Sequence, residues 1–112
     1  WEKQLITEIE KSIMAANLGF NPMNNGESII INVPILTEER RRELAKQAKS
    51  EAEMSKVSIR NYRRYGNAEL KKLDISEDML ANAEVDIQEL TDKYSKKADD
   101  MYDVKEKEIM TV

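Results

Sequence analysis

The sequence contains no cysteine and no histidine. The first absence excludes disulfides and thiolate metal sites. The second removes the commonest general base and the commonest metal ligand. Proline and glycine are scarce, at two and three residues in 112. Aromatics are only 5% of the chain, so a core of this size must be built efficiently from aliphatic and small side chains. No apolar run approaches the ~18 residues of a membrane span. No phosphate loop, nucleophile elbow or metal-ligand pattern is present, and an enzymatic role has almost nothing to stand on. The chain opens on Trp1 rather than Met, inside an apolar helical pattern, and reads as part of a longer polypeptide.

What is abundant is charge, at 36% of residues. Together with Ala, Leu, Glu, Lys and Arg, this suits long amphipathic helices. The net charge of −4 hides an asymmetry. Residues 1–39 carry −4, residues 40–72 carry +7 and residues 73–112 carry −7. Local charge governs electrostatic partners, so the average misleads.

The spacing of Ile6, Ile9, Ile13 and Ala16 predicts a first helix. Thr7 and Glu10 fit a capping box at its start, and Gly19 is placed to end it with Phe20 packing back. Asn21-Pro22 and Asn24-Asn25-Gly26 are turn signals. Ser28 to Val33 is rich in β-branched residues and reads as a strand. A lone strand cannot form a sheet, so it pairs with strands before Trp1 or with another chain.

A second helix follows Pro34, with Thr37 as N-cap and an end near Leu73. Leu44, Ala48, Ala52, Ser55, Ile59, Tyr62, Gly66, Leu70 and Leu73 form a narrow seam of small and apolar residues. A short break at Asp74-Ile75 leads to Ser76, the N-cap of a third helix to about residue 109. Its seam is Leu80, Ala83, Ile87, Leu90, Tyr94, Ala98, Met101 and Val104. So short a connection makes the two helices antiparallel. The hairpin leaves apolar surface open, and a further helix is expected to cover it.

The basic residues of the central helix are ordered. Arg42, Lys46, Lys49, Lys56, Arg60 and Arg63 repeat at intervals of four, three, seven, four and three, and Arg40, Arg41 and Arg64 widen the stripe. Guanidinium groups on a rigid rod suit phosphate contacts. The alternative is a solvated face neutralised by the acidic last helix. Tyr62 and Tyr65 are interleaved with the arginines and have a stacking role open to them. Tyr62, as a seam residue, is expected in the core, while Tyr65 is off the seam and undecided. Asp99, Asp100 and Asp103 lie on a long helix and read as solvated charges, and the six methionines read as packing.

Several ordered strings then stand out. They are Ile13 to Gly19 with Asn21-Pro22, Leu36 to Arg41, Val57 to Asn61 with Arg63-Arg64, Ser76-Glu77-Asp78, Leu90 to Lys93, and Lys105 to Glu108. In this order and at these intervals they resemble the bacterial ribosome recycling factors, over essentially the whole chain. The resemblance implies an α+β fold with two of the three helices of a long antiparallel helical bundle, plus part of a small α/β domain. Residues 1–34 would be the second half of the small domain. Residues 35–112 would belong to the bundle, with helices over 37–73 and 76–109.

The family is not enzymatic and uses no cofactor. It binds the post-termination ribosome in the cytoplasm, its bundle against large-subunit ribosomal RNA, and with elongation factor G splits the subunits. Neither a membrane nor DNA is an expected partner. Carried onto this sequence, the RNA-binding role falls on Arg60, Arg63 and Arg64, with Arg40, Arg41 and Lys56 beside them. The hinge between the arms falls on Val33, Pro34, Ile35 and Leu36. Three positions depart from the family pattern. Pro34 is followed by Ile35 instead of a second proline, the break at Asp74-Ile75 is about three residues shorter, and Tyr65 replaces an acidic residue. A helical hairpin that completes a bundle with a partner chain is the alternative reading.

Overall fold

The computed structural model describes residues 2–112. Trp1, where the opening helical pattern is expected to start, lies outside them. Contacts divide the chain into two compact units, one ending at Leu36 and the other spanning Thr37–Val112.

In the first unit a 3₁₀ turn, Lys3–Leu5, leads into α1, Ile6–Ala15. The expected capping box at Thr7 does not form. Leu5 is already helical, with φ −80° and ψ −10°, so Thr7 sits inside the helix rather than at an extended N-cap. The Glu10 carboxylate instead accepts from Asn24 Nδ2 at 3.4 Å. The helix also stops earlier than expected. Asn17, not Gly19, takes the first left-handed position, with φ 51°, and its amide donates to Met14 O. Asparagine tolerates that region better than other residues with a Cβ. Gly19, with φ 80°, is a second left-handed residue in the loop that follows.

The strand over Ser28–Val33 shortens to β2, Ile29–Ile31, and its partner lies in the chain itself. Pro22–Asn24 forms β1, antiparallel to β2, with Pro22 opposite Ile31 and Asn24 opposite Ile29. A strand can begin with proline because the missing N–H falls outside the ladder. Asn25 closes the hairpin. Its side-chain oxygen accepts from the amides of Glu27 and Ser28 at 3.0 and 2.8 Å. Gly26, with φ 88°, takes the left-handed step beside it. Ile6, only 2% exposed, and Pro22 are buried, with Ile13, Phe20 and Ile29 half-covered.

The second unit is a hairpin of α2, Glu38–Leu70, and α3, Glu77–Met110, packed along their lengths. Each helix is roughly 50 Å long at 1.5 Å per residue. The expected caps form. Thr37 Oγ1 accepts from the Arg40 amide at 3.1 Å, and Ser76 Oγ accepts from the Met79 amide at 3.3 Å. Glu38, Glu39, Glu77 and Asp78 add negative charge to the first turns, where the helix dipole favours it. α2 ends at Leu70 rather than Leu73: the Lys71 amide still bonds Asn67 O, but the Lys72 and Leu73 amides bond only three residues back, to Glu69 O and Leu70 O. Such tightening satisfies carbonyls that the helix leaves open.

The expected seams split in two. Leu44, Ala48, Ala52, Ile59, Gly66 and Leu70 are half-covered in α2, as are Leu80, Ala83, Ile87 and Ala98 in α3. Thr91 joins them as a buried residue, its hydroxyl donating to Ile87 O at 2.8 Å. By contrast Tyr62, Leu73, Leu90, Tyr94, Met101 and Val104 are exposed. Leu73 lies beyond the end of α2; at 100° per residue the others fall to one side of the contact line, and several of them border a trough between the helices. One part of the trough, about 500 Å³, runs between Ala48, Ala52, Ser55 and Tyr94, Ala98, Met101. The next part lies between Ile59, Tyr62, Gly66 and Ile87, Leu90, Tyr94.

At Gly66 a Cβ would stand 3.4 Å from Ile87 Cδ1, an ordinary contact with a flexible side-chain end. Glycine inside a helix costs about 0.5–1 kcal/mol relative to alanine. Gly66→Ala is therefore expected to stabilise the hairpin by about that amount, read as a higher denaturant midpoint with unchanged slope.

Candidate nucleic-acid interface

The cations of α2 do not all face one way. α2 and α3 meet in one antiparallel register, which sets each cation's surroundings. Gly66 lies by Ile87, Arg63 by Gln88, Lys56 by Asp99, and Arg41 by the end of α3. Cations on the α3 side are drawn into the hairpin, and those on the far side are not.

Arg41 is half-covered and donates to Ile109 O at 2.5 Å and Thr111 O at 2.8 Å. The antiparallel arrangement puts it where the open carbonyls and the negative dipole end of α3 attract a cation. Arg40 pairs with Glu43 at 3.0 Å, and Arg42 pairs with Glu38 one turn earlier. Lys56, with its side chain 18% exposed, lies between Glu53 at 2.8 Å and Asp99 at 2.9 Å. These two hydrogen bonds, Glu53's first, hold its pKa above the ordinary lysine value, against the opposing effect of burial. Arg63 is half-covered and donates to Gln88 Oε1 at 3.2 Å, while Gln88 donates to Asp92 at 2.9 Å. Its acceptor is a neutral amide, so this bond does not cancel its charge.

Arg60 and Arg64 differ from all of these. They are exposed, and their side chains make no hydrogen bond or ion pair among the described residues. Tyr62 and Tyr65, interleaved with them in sequence, are 76% and 66% exposed and share a different flank with Ser58 and Asn61. The expectation that Tyr62 is core is corrected. It lies off the line of Ile59, Arg63 and Gly66 that meets α3, on the lip of the trough. Sequence reasoning did not find the Arg41 clamp, the Lys56–Asp99 bridge or the Gln88 support. The antiparallel register would have located them once one cross-helix pair was known.

Asp99 and Asp100 are occupied by lysines, Lys56 and Lys96. Among the described residues no group of three acidic side chains gathers where a metal would be held. No described helix is long and apolar enough to cross a membrane.

These features define a class: an α+β protein whose larger unit is a long antiparallel helical hairpin with one basic and one acidic helix. Comparison with known proteins narrows it. The profile of the family described as Ribosome recycling factor matches residues 1–110. The chain belongs to the ribosome recycling factor family. It is 64% identical over 112 residues to the ribosome-recycling factor of Christiangramia forsetii, covering all of this chain and 61% of that protein. It is 56% identical over 115 residues to that of Flavobacterium johnsoniae, covering 62% of it. A solution structure of the ribosome recycling factor superposes with a TM-score of 0.66 at 40% identity, over the whole of this chain and 61% of the other. The chain thus spans about three-fifths of the length of these relatives.

Two measurements test the inward-facing cations. Arg41→Ala is expected to cost about 0.5–1 kcal/mol and to speed amide exchange at Thr111, whose N–H bonds Lys107 O. The Lys56–Asp99 coupling, from a Lys56→Met and Asp99→Asn double-mutant cycle, follows the raised lysine pKa. It is fully present below the unfolded lysine value of about 10.4 and is lost as pH climbs through the folded value. Denaturant midpoints of the four proteins at neutral and strongly alkaline pH check this.

Proposed function

We propose that this chain is the greater part of a translation factor that binds the post-termination ribosome in the cytoplasm. With elongation factor G it would split the ribosome into subunits without catalysing a reaction itself. Family membership supports the role, and the arginines of α2 supply the contact. In this reading α2 meets large-subunit ribosomal RNA chiefly through Arg60 and Arg64, the two exposed guanidinium groups with no partner among the described residues. Arg63 adds a charge held in place by Gln88. Arg40, Arg41 and Lys56 contribute less, because carboxylates or helix-end carbonyls already engage them.

The relatives' greater length supports two further elements. A helix outside these 112 residues fills the trough and completes a three-helix bundle. Residues 1–34 are part of a small α/β domain, joined to the bundle through a hinge at Val33, Pro34, Ile35 and Leu36. Val33 and Ile35 are strongly exposed, as a connecting segment requires.

In the full-length protein, Arg60→Ala with Arg64→Ala is expected to weaken ribosome binding and recycling and to lower the salt slope of binding by about one per lost phosphate contact. Undiminished recycling together with salt-independent binding would overturn the proposed contact. The open trough also favours a second reading, in which the hairpin completes a bundle with a separate partner chain. Sedimentation of the full-length protein separates the two, since a stable self-associated species without ribosome affinity would support the partner-chain reading.

A further inference from the structure

The exposed aromatic pair on α2 has no role in the hairpin. Tyr62 borders the trough, but Tyr65 does not. Tyr65 instead lines, with Ser58, Asn61 and Tyr62, a shallow surface depression of about 530 Å³. Its position on the helix, one to two steps round from the line that meets α3, leaves its ring in solvent. An exposed tyrosine ring offers a flat apolar face on which a planar group can stack.

The charges around it indicate what that is. Arg64 precedes it, about 100° round the helix, and has no anionic partner among the described residues. Arg60, one turn before Arg64, continues that flank rather than lining the depression. The acid nearest along its helix row, Glu69, is held by Lys72 at 2.6 Å. Ser58 and Asn61 add neutral donors and acceptors at the floor. A flat apolar face, short polar groups beside it and an uncompensated cation on the adjoining flank match the parts of a single-stranded nucleotide: base, base edge and phosphate.

We propose that Tyr65 stacks on an unpaired base of the RNA while Arg64, on the adjoining flank of the helix, holds the phosphate next to it. This rests on the reading of α2 as an RNA-contacting helix and makes it more specific. It assigns the helix a single-stranded or bulged segment rather than a regular duplex, whose bases are already stacked and out of reach.

The test uses the full-length protein and two fluorescein-labelled strands of about twelve nucleotides, one with bases and one abasic, titrated by anisotropy. Tyr65→Ala is expected to weaken binding to the base-bearing strand roughly ten-fold, with no change on the abasic strand and no change in salt slope. Tyr65→Phe keeps the ring and restores binding. Arg64→Ala weakens both strands and lowers the slope by about one. Equal binding of Tyr65→Ala and parent to the base-bearing strand overturns the stacking role, as does an equal loss on both strands. If Arg64→Ala weakens binding while Tyr65→Ala does not, stacking alone falls. If the parent binds neither strand, the RNA-contact reading falls with it.

Discussion

The close approach of α2 and α3 at small residues sets everything else in the second unit. Ala48 and Ala52 of α2 and Ala98 of α3 keep the contact line narrow, and Gly66 receives the end of the Ile87 side chain. Among the described residues no large side chain is fully buried. The hairpin is therefore held by many half-covered contacts rather than by a deep core. A narrow line of contact has a geometric result: it fixes the rotation of each helix about its axis, and with it the surroundings of every charge.

That rotation sorts the cations of a helix that carries +7 over residues 40–72. The acidic partner helix neutralises only what faces it. Lys56 finds Asp99 and Arg41 finds the carbonyl end of α3, while Arg60 and Arg64 face water. The same helix is thus bound to its neighbour on one side and left strongly positive on the other. Net charge over the whole chain reports neither fact.

Much of the fold was legible where a local rule acts alone. Thr37 and Ser76 cap their helices because an extended residue with a side-chain oxygen sits just before each helical run. Asn24-Asn25-Gly26 turns because Asn25 and Gly26 satisfy that turn without outside help. The misses fall where two local signals compete. Thr7 had a capping partner in Glu10, but the chain was already helical at Leu5. Gly19 was a good helix terminator, but Asn17 came first. Pro22 read as a turn and became a strand start, since three residues are too few to show a period. In the site, a periodicity of fours and threes cannot separate residues facing α3 from those a third of a turn away. Tyr62 and the divided stripe both follow from that.

The Arg41 clamp has a kinetic side. Its two bonds join residues 68 and 70 positions apart, at the end of the hairpin farthest from the connection. The Gly66–Ile87 contact lies close to the connection at Leu73–Ser76. Loop closure costs more entropy the longer the loop, so pairing that starts at the connection and zips outward is favoured. The clamp then forms last and breaks first. It shapes how fast the hairpin opens more than how fast it forms, and each opening frees one further guanidinium at the start of α2.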